Sequence, residues 1–243
     1  MMNVWKFGLV CALASFVPHW AQASEFDCGT LDNYGLGPFD YNDHPASARG
    51  AEKVHFKPDM QALNLRLYPA ERLRGEFMYT LRVYPNHPAA LNAFSRLEYL
   101  YGKQLPKTDR SQTAECFFDR AFRFRPQDPA VHFVYAMHLH QWNRLKDAAK
   151  AYAQAESLGE ASQSFYYNYG LLQADLKNWP EAKRYAELAY SNGAQLPGLA
   201  QKIEKAGMGP VRIPSRQAPA PAPATEEAAG GSPGAPGAEA ESK

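Results

Sequence analysis

The chain has 243 residues, 45% of them hydrophobic and 13% aromatic, which is enough apolar material for a packed domain of ordinary size. Its formal charge is +1, from 26 Lys and Arg against 25 Asp and Glu. A charge so close to balance leaves no electrostatic footprint for nucleic acid or for an anionic membrane surface.

Residues 1–23 carry one cation, Lys6, then an apolar run from Phe7 to Val17 and the small-x-small triplet Ala21-Gln22-Ala23. This is the grammar of a secretory signal peptide, too short for a membrane span, with cleavage expected after Ala23. Cys11 lies inside the apolar run and Cys28 follows Glu25-Phe26-Asp27, so neither sits at a lipoprotein cleavage point. Losing Lys6 with no acid takes the charge from +1 to about zero. No later segment approaches the ~20 apolar residues of a transmembrane helix, so the mature chain is expected to lack an integral membrane segment and to be soluble in the periplasm.

Residues 24–69 lie outside the repeat that follows and read as an irregular N-terminal strap or cap. The stretch DCGTLDNYGLGPFDYND, 27 to 43, holds four aspartates, three glycines and three aromatics. It reads as an irregular, turn-rich strap. A calcium loop would need acids at alternate positions, a central glycine and a closing glutamate, and that spacing does not occur. Residues 70–84 then read as a lone helix with Leu73, Phe77 and Leu81 on its inner face.

From there the sequence repeats with a period of 34: Tyr135 with Tyr169, Ala136 with Gly170, Leu145 with Trp179, Ala148 with Ala182, Ala155 with Ala189, Gly159 with Gly193. Such self-similarity decides the architecture before any local reading. Ala148, Tyr152 and Ala155 form one helical stripe, and so do Ala182, Ala186 and Ala189. The facing helices carry Ala136 and Gly170. Small residues on both sides let two antiparallel helices approach closely. An earlier stripe, Ala114, Phe118 and Ala121, belongs to a unit seven residues longer: RVYPNHPAALN at 82–92 matches RFRPQDPAVHF at 123–133 at an offset of 41. The excess lies in GKQLPKTDRSQT, a loop over 102–113.

Over 70–206 the chain resembles the tetratricopeptide repeat (TPR) family: 34-residue helix pairs with small-residue contacts and a proline near the unit end. The resemblance implies an all-α fold, a short right-handed α-solenoid of about three helical hairpins at 88–128, 129–162 and 163–196. LPGLAQKIEKAG, with Pro197 in its first turn and Gly207 at its stop, reads as a capping helix. Residues 207–243 become rich in Pro, Ala and Gly, with no aromatic and no branched aliphatic residue after Ile213. That segment is expected to be disordered.

Cys28 and Cys116 are the two cysteines left after cleavage, which in an exported chain favours one disulfide; two buried thiols are the alternative. Cys116 follows Ala114 by two positions, about 200° round the helix, so a bridge would tie the strap to the back of that helix, outside the core. Tyr34, Phe39 and Tyr41 would then cover the open end of the solenoid.

No nucleophile elbow, C-x-x-C, His-Glu-x-x-His or phosphate loop occurs. The imidazoles of His138 and His140 diverge by about 200° on a helix, and His132 with His140 lacks a third ligand. No metal, cofactor or catalytic residue is expected. The family resemblance implies instead a non-enzymatic scaffold or adaptor that holds a protein or peptide partner on its concave face, of the kind that assists assembly of larger envelope complexes. Two alternatives are a hydrolase or metal-binding protein on a helical-repeat scaffold, and a purely structural protein whose tail reaches toward another component. In this family the first helix of each unit lines the concave groove, which implies Phe133, Met137 and His140, then Tyr167 and Leu171, and, through the 41-residue offset, Asn92, Arg96 and Tyr99. With Arg96 as the only cation among them, such a groove should favour apolar or aromatic segments over acidic chain ends.

Overall fold

The computed structural model describes residues 28–32, 36–43, 49–102 and 110–213. The signal segment, Tyr34, the loop at 103–109 and the tail from 214 lie outside them.

Every regular element among the described residues is helical: α1 (Gly50–His55), α2 (Pro58–Gln61), α3 (Ala70–Val83), α4 (Pro88–Tyr101), α5 (Ala114–Phe124), α6 (Pro129–Gln141), α7 (Leu145–Ser157), α8 (Gln163–Asp175), α9 (Trp179–Ser191) and α10 (Gly198–Lys205), with a 3₁₀ turn at Arg110–Gln112. The pairs α4–α5, α6–α7 and α8–α9 are helical hairpins that stack in sequence, with α3 before them and α10 after. The fold is a TPR-like α-solenoid.

The repeat is written most clearly in its helix ends. The first helices begin at His87, Asp128 and Ser162, each of whose side chains accepts a backbone N–H of the first turn. Those donors have no partner within the helix, so the cap satisfies them. Helices α6 to α9 each stop in a left-handed residue: Asn143 (φ 59°), Gly159 (96°), Lys177 (63°) and Gly193 (93°). In each case the next N–H reaches five residues back, from Arg144 to Leu139, Glu160 to Ala155, Asn178 to Gln173 and Ala194 to Ala189, at 2.8–3.0 Å. These are Schellman closures, and they fix where each helix turns back.

The small-residue stripes set how closely the helices then pack. Ala136, Ala148, Ala155, Ala182, Ala186 and Ala189 are all fully buried. Gly170 has no room for more: a Cβ there would lie 2.6 Å from Leu199 Cδ2 and 3.3 Å from Tyr185 Cβ. The N-terminal part of the core is built from larger side chains, with Phe77, Phe94, Phe117 and Phe118 all at 1% exposure or less. Burying each such ring contributes about 1.5–3 kcal/mol before entropy is counted.

The segment before α3 differs from the irregular strap that its composition suggests. It contains α1 and α2, and the side chains that seal the open end of the solenoid are Phe56, Met60 and Leu63, packed with Leu73 and Phe77. Phe39 and Tyr41 lie instead over the α3–α4 turn. Tyr41 stacks on His87 with centroids 3.9 Å apart, and Phe39 N–H donates to Val83 O at 2.8 Å. Cys28 and Cys116 are disulfide-bonded, with Cα atoms 5.0 Å apart. The bridge lies outside the main apolar clusters, yet both residues are buried. Arg123 Nη2 also donates to Gly29 O at 2.8 Å beside it, so the strap is held to α5 by more than the bridge.

Candidate functional site

Three successive first helices meet at one cavity. Asn92 and Arg96 from α4, Met137, His140 and Gln141 from α6, Tyr152 from α7 and Asn168 from α8 line one cavity of about 330 Å³. Positions 92 and 96, like 137 and 141, are four apart, so both pairs lie on one helix face.

The cavity is lined by polar and apolar surface in about equal measure. Arg96 is its only permanent charge, has no ion-pair partner among the described residues, and no acidic side chain lines the cavity. Behind it, His140 Nε2 lies 2.9 Å from Asp175 Oδ2, and Lys202 closes on the other carboxylate oxygen. Burial works to raise the Asp175 carboxyl, but hydrogen bonds from Lys202 and His140 outweigh it and hold it below the ordinary value. This chain of contacts joins α10 through α8 to the cavity wall. Tyr152 is fully buried, and its hydroxyl has no hydrogen-bond partner among the described residues. Burial pushes its ionisation well above the ordinary range, with the neighbouring Tyr169 adding to it. Its ring is nearly parallel to that of Tyr169 at 4.8 Å, and Tyr169 meets Tyr185 at 4.2 Å. The tyrosine stack thus runs back from Tyr152 at the cavity wall into the packing of α8 and α9.

The other residues expected in the groove go elsewhere. Phe133 packs between units, 5.5 Å from Phe165, and Tyr167 meets Tyr190 edge-on at 6.5 Å. Leu171 packs against the C-terminal cluster. Tyr99 lies at an exposed rim against Trp142, 5.5 Å away. With three apolar side chains taken up by helix packing, the cavity walls combine amide, guanidinium and imidazole groups with the apolar surface of Met137 and Tyr152. Gln141, Tyr152 and Asn168 are the lining residues that sequence reasoning missed. Gln141 follows from the i, i+4 rule applied to Met137. Asn168 sits one residue beyond Tyr167, a rotation of about 100° that the repeat offset does not carry.

Two other arrangements attract attention. Ser95 Oγ lies 2.8 Å from His138 Nδ1, and His138 Nε2 lies 3.3 Å from Glu115 Oε1. Ser95 is 1% exposed, so no substrate carbonyl can reach its oxygen; the chain of bonds ties α4, α5 and α6 together. A second cleft of about 470 Å³, between the strap, α1 and α3, is lined by Leu36, Phe39, Val54, His55, Tyr79 and Tyr84 among others. No group of three or more metal-ligating side chains occurs among the described residues, and no helix there is long and apolar enough to cross a membrane.

No family model matches the chain. No curated protein is significantly similar to it in sequence. Among solved structures, one described as the functional characterization of Pseudomonas aeruginosa pilF superposes with a TM-score of 0.47 and 16% identity, over 64% of this chain and 67% of that one. A likeness of that degree carries no functional argument.

Proposed function

We propose that the protein is a non-enzymatic scaffold or adaptor of the bacterial periplasm that holds an extended peptide or protein segment along its concave face. The observation that carries this reading is the cavity shared by α4, α6 and α8, with Arg96, which has no ion-pair partner among the described residues, the side-chain amides of Asn92, Gln141 and Asn168, and the ring of Tyr152 stacked on Tyr169. An extended segment presents a backbone N–H and C=O at every residue, and Asn92, Gln141 and Asn168 can meet both. Arg96 adds a preference for an acidic side chain, and Met137 a small apolar contact. The periplasmic assignment rests on the N-terminal grammar and on the disulfide, which persists in an oxidising compartment. Contribution to assembly of an envelope complex belongs to the same reading.

The test is photo-crosslinking in cells from two positions. A probe at Asn168, inside the groove, should capture a defined partner. The same probe at Lys150, on the outer helix α7, should not. Equal capture from both positions, or none from Asn168, overturns the reading.

A further inference from the structure

We infer that the chain carries its own ligand for this groove: the acidic stretch around Glu226 and Glu227 docks on Arg96 and competes with the partner. The inference rests on the groove being the binding surface.

Charge points to this occupant. Among the described residues, the cavity holds one cation, which has no ion-pair partner, and no acid. Residues 214–243 hold four glutamates against Arg216 and Lys243, a net charge of −2, and Glu226 and Glu227 are adjacent.

The tether has the right length. The chain after α10 is anchored on the solenoid: Val211 is buried and Ile213 packs against the C-terminal cluster. The segment therefore starts from a fixed point beside α8 and α9. From α10 the groove is reached through α8 and α6 to α4, three helix spacings, or about 25–30 Å. The thirteen residues 214–226, with prolines at 214, 219, 221 and 223, extend about 40 Å as polyproline-type chain. Prolines at alternate positions restrict the chain before docking, so less conformational freedom is lost on docking. Tethering makes the contact intramolecular, so a weak interaction suffices to occupy the site.

The experiment uses the whole chain with a photo-reactive residue at position 228 and peptide mapping of the crosslinks. Crosslinks should fall within one molecule on 92–96, 137–141 and 168. Their yield should fall about two- to five-fold in Arg96→Glu, as for a partly exposed ion pair, and further at high salt. Glu226→Lys with Glu227→Lys should give the same loss without touching the folded part, and should restore yield in the Arg96→Glu background. Crosslinks scattered over the surface, found only between molecules, or unchanged by both charge reversals would overturn the inference. Capture of a partner from Asn168 in the same cells, beside scattered tail crosslinks, would refute tail docking alone and leave the groove standing.

Discussion

Asn86 Nδ2 donates to Asp128 Oδ2 at 2.9 Å, joining the turn before α4 to the turn before α6 across 42 residues of sequence. The other oxygen of Asp128 caps α6, accepting from Ala130 N–H at 3.0 Å and Val131 N–H at 3.3 Å. Asn42 of the strap donates to the same carboxylate at 2.8 Å, and Asn86 also donates to Asp40 at 2.8 Å. One carboxylate thus serves a helix cap, a unit junction and the strap. Asp128→Ala should lower stability by about 2–4 kcal/mol, more than the ~1 kcal/mol of a cap alone, because buried Asn86 loses an acceptor. Denaturant unfolding measures it. A loss of under ~1 kcal/mol would mean that the network is dispensable.

The disulfide closes a loop with a sequence separation of 88. In the chain-entropy account such a crosslink is worth about 4 kcal/mol. Cys28→Ser together with Cys116→Ser should lower the thermal midpoint by many degrees while leaving helix content unchanged at low temperature. Reduction of the unsubstituted chain should reproduce the shift.

His87 gives a pH dependence of defined sign. Its Nδ1 accepts from Ala90 N–H, and burial, with Arg49 nearby, depresses its pKa from 6.5 to about 3. Between those values the unfolded chain binds a proton that the folded chain refuses. Stability is therefore complete above about pH 6.5 and falls with pH toward 3, by up to about 1.4 kcal/mol per unit. His87→Asn, which keeps a cap and does not titrate, should flatten that slope between pH 6 and 4.5. An unchanged slope would assign the loss to other groups.

Lys177 holds φ at 63°, where a side chain is strained and glycine is not. Lys177→Gly should raise stability by about 0.5–1 kcal/mol, read as a higher midpoint at the same denaturant slope. The contact of its ammonium with the Trp179 ring, 5.5 Å from the centroid, offsets little of this at an exposed site.

How much of the molecule could be read from its residues follows from which signals repeat. The hairpins were legible because a period of 34 pairs Gly159 with Gly193, both left-handed at a helix end, and the small residues Ala136 with Gly170 and Ala148 with Ala182. Those features are local and recur. Helices α1 and α2 were not legible, since six and four residues are too short to show a period. Phe56, Met60 and Leu63 reveal their role only against Leu73 and Phe77. In the groove, the helix count brought Asn92, Arg96, Met137 and His140 to one cavity, but it could not say that Phe133, Tyr167 and Leu171 find better packing between helices. Asn168 and Tyr152 depend on helix rotation and on the second helix of a unit, which offsets do not encode.

The central claim is that the concave cavity is where a partner binds. Its most direct test is quantitative capture of the partner crosslinked from Asn168, using variants that alter the cavity and nothing else. Arg96→Ala combined with Asn92→Ala should cut capture at least about tenfold, since charged and neutral hydrogen bonds are both lost, while circular dichroism and the thermal midpoint stay close to those of the parent chain. Full capture by that folded double variant would contradict the account and move the binding surface elsewhere, first to the apolar cleft bounded by Leu36, Val54 and Tyr79.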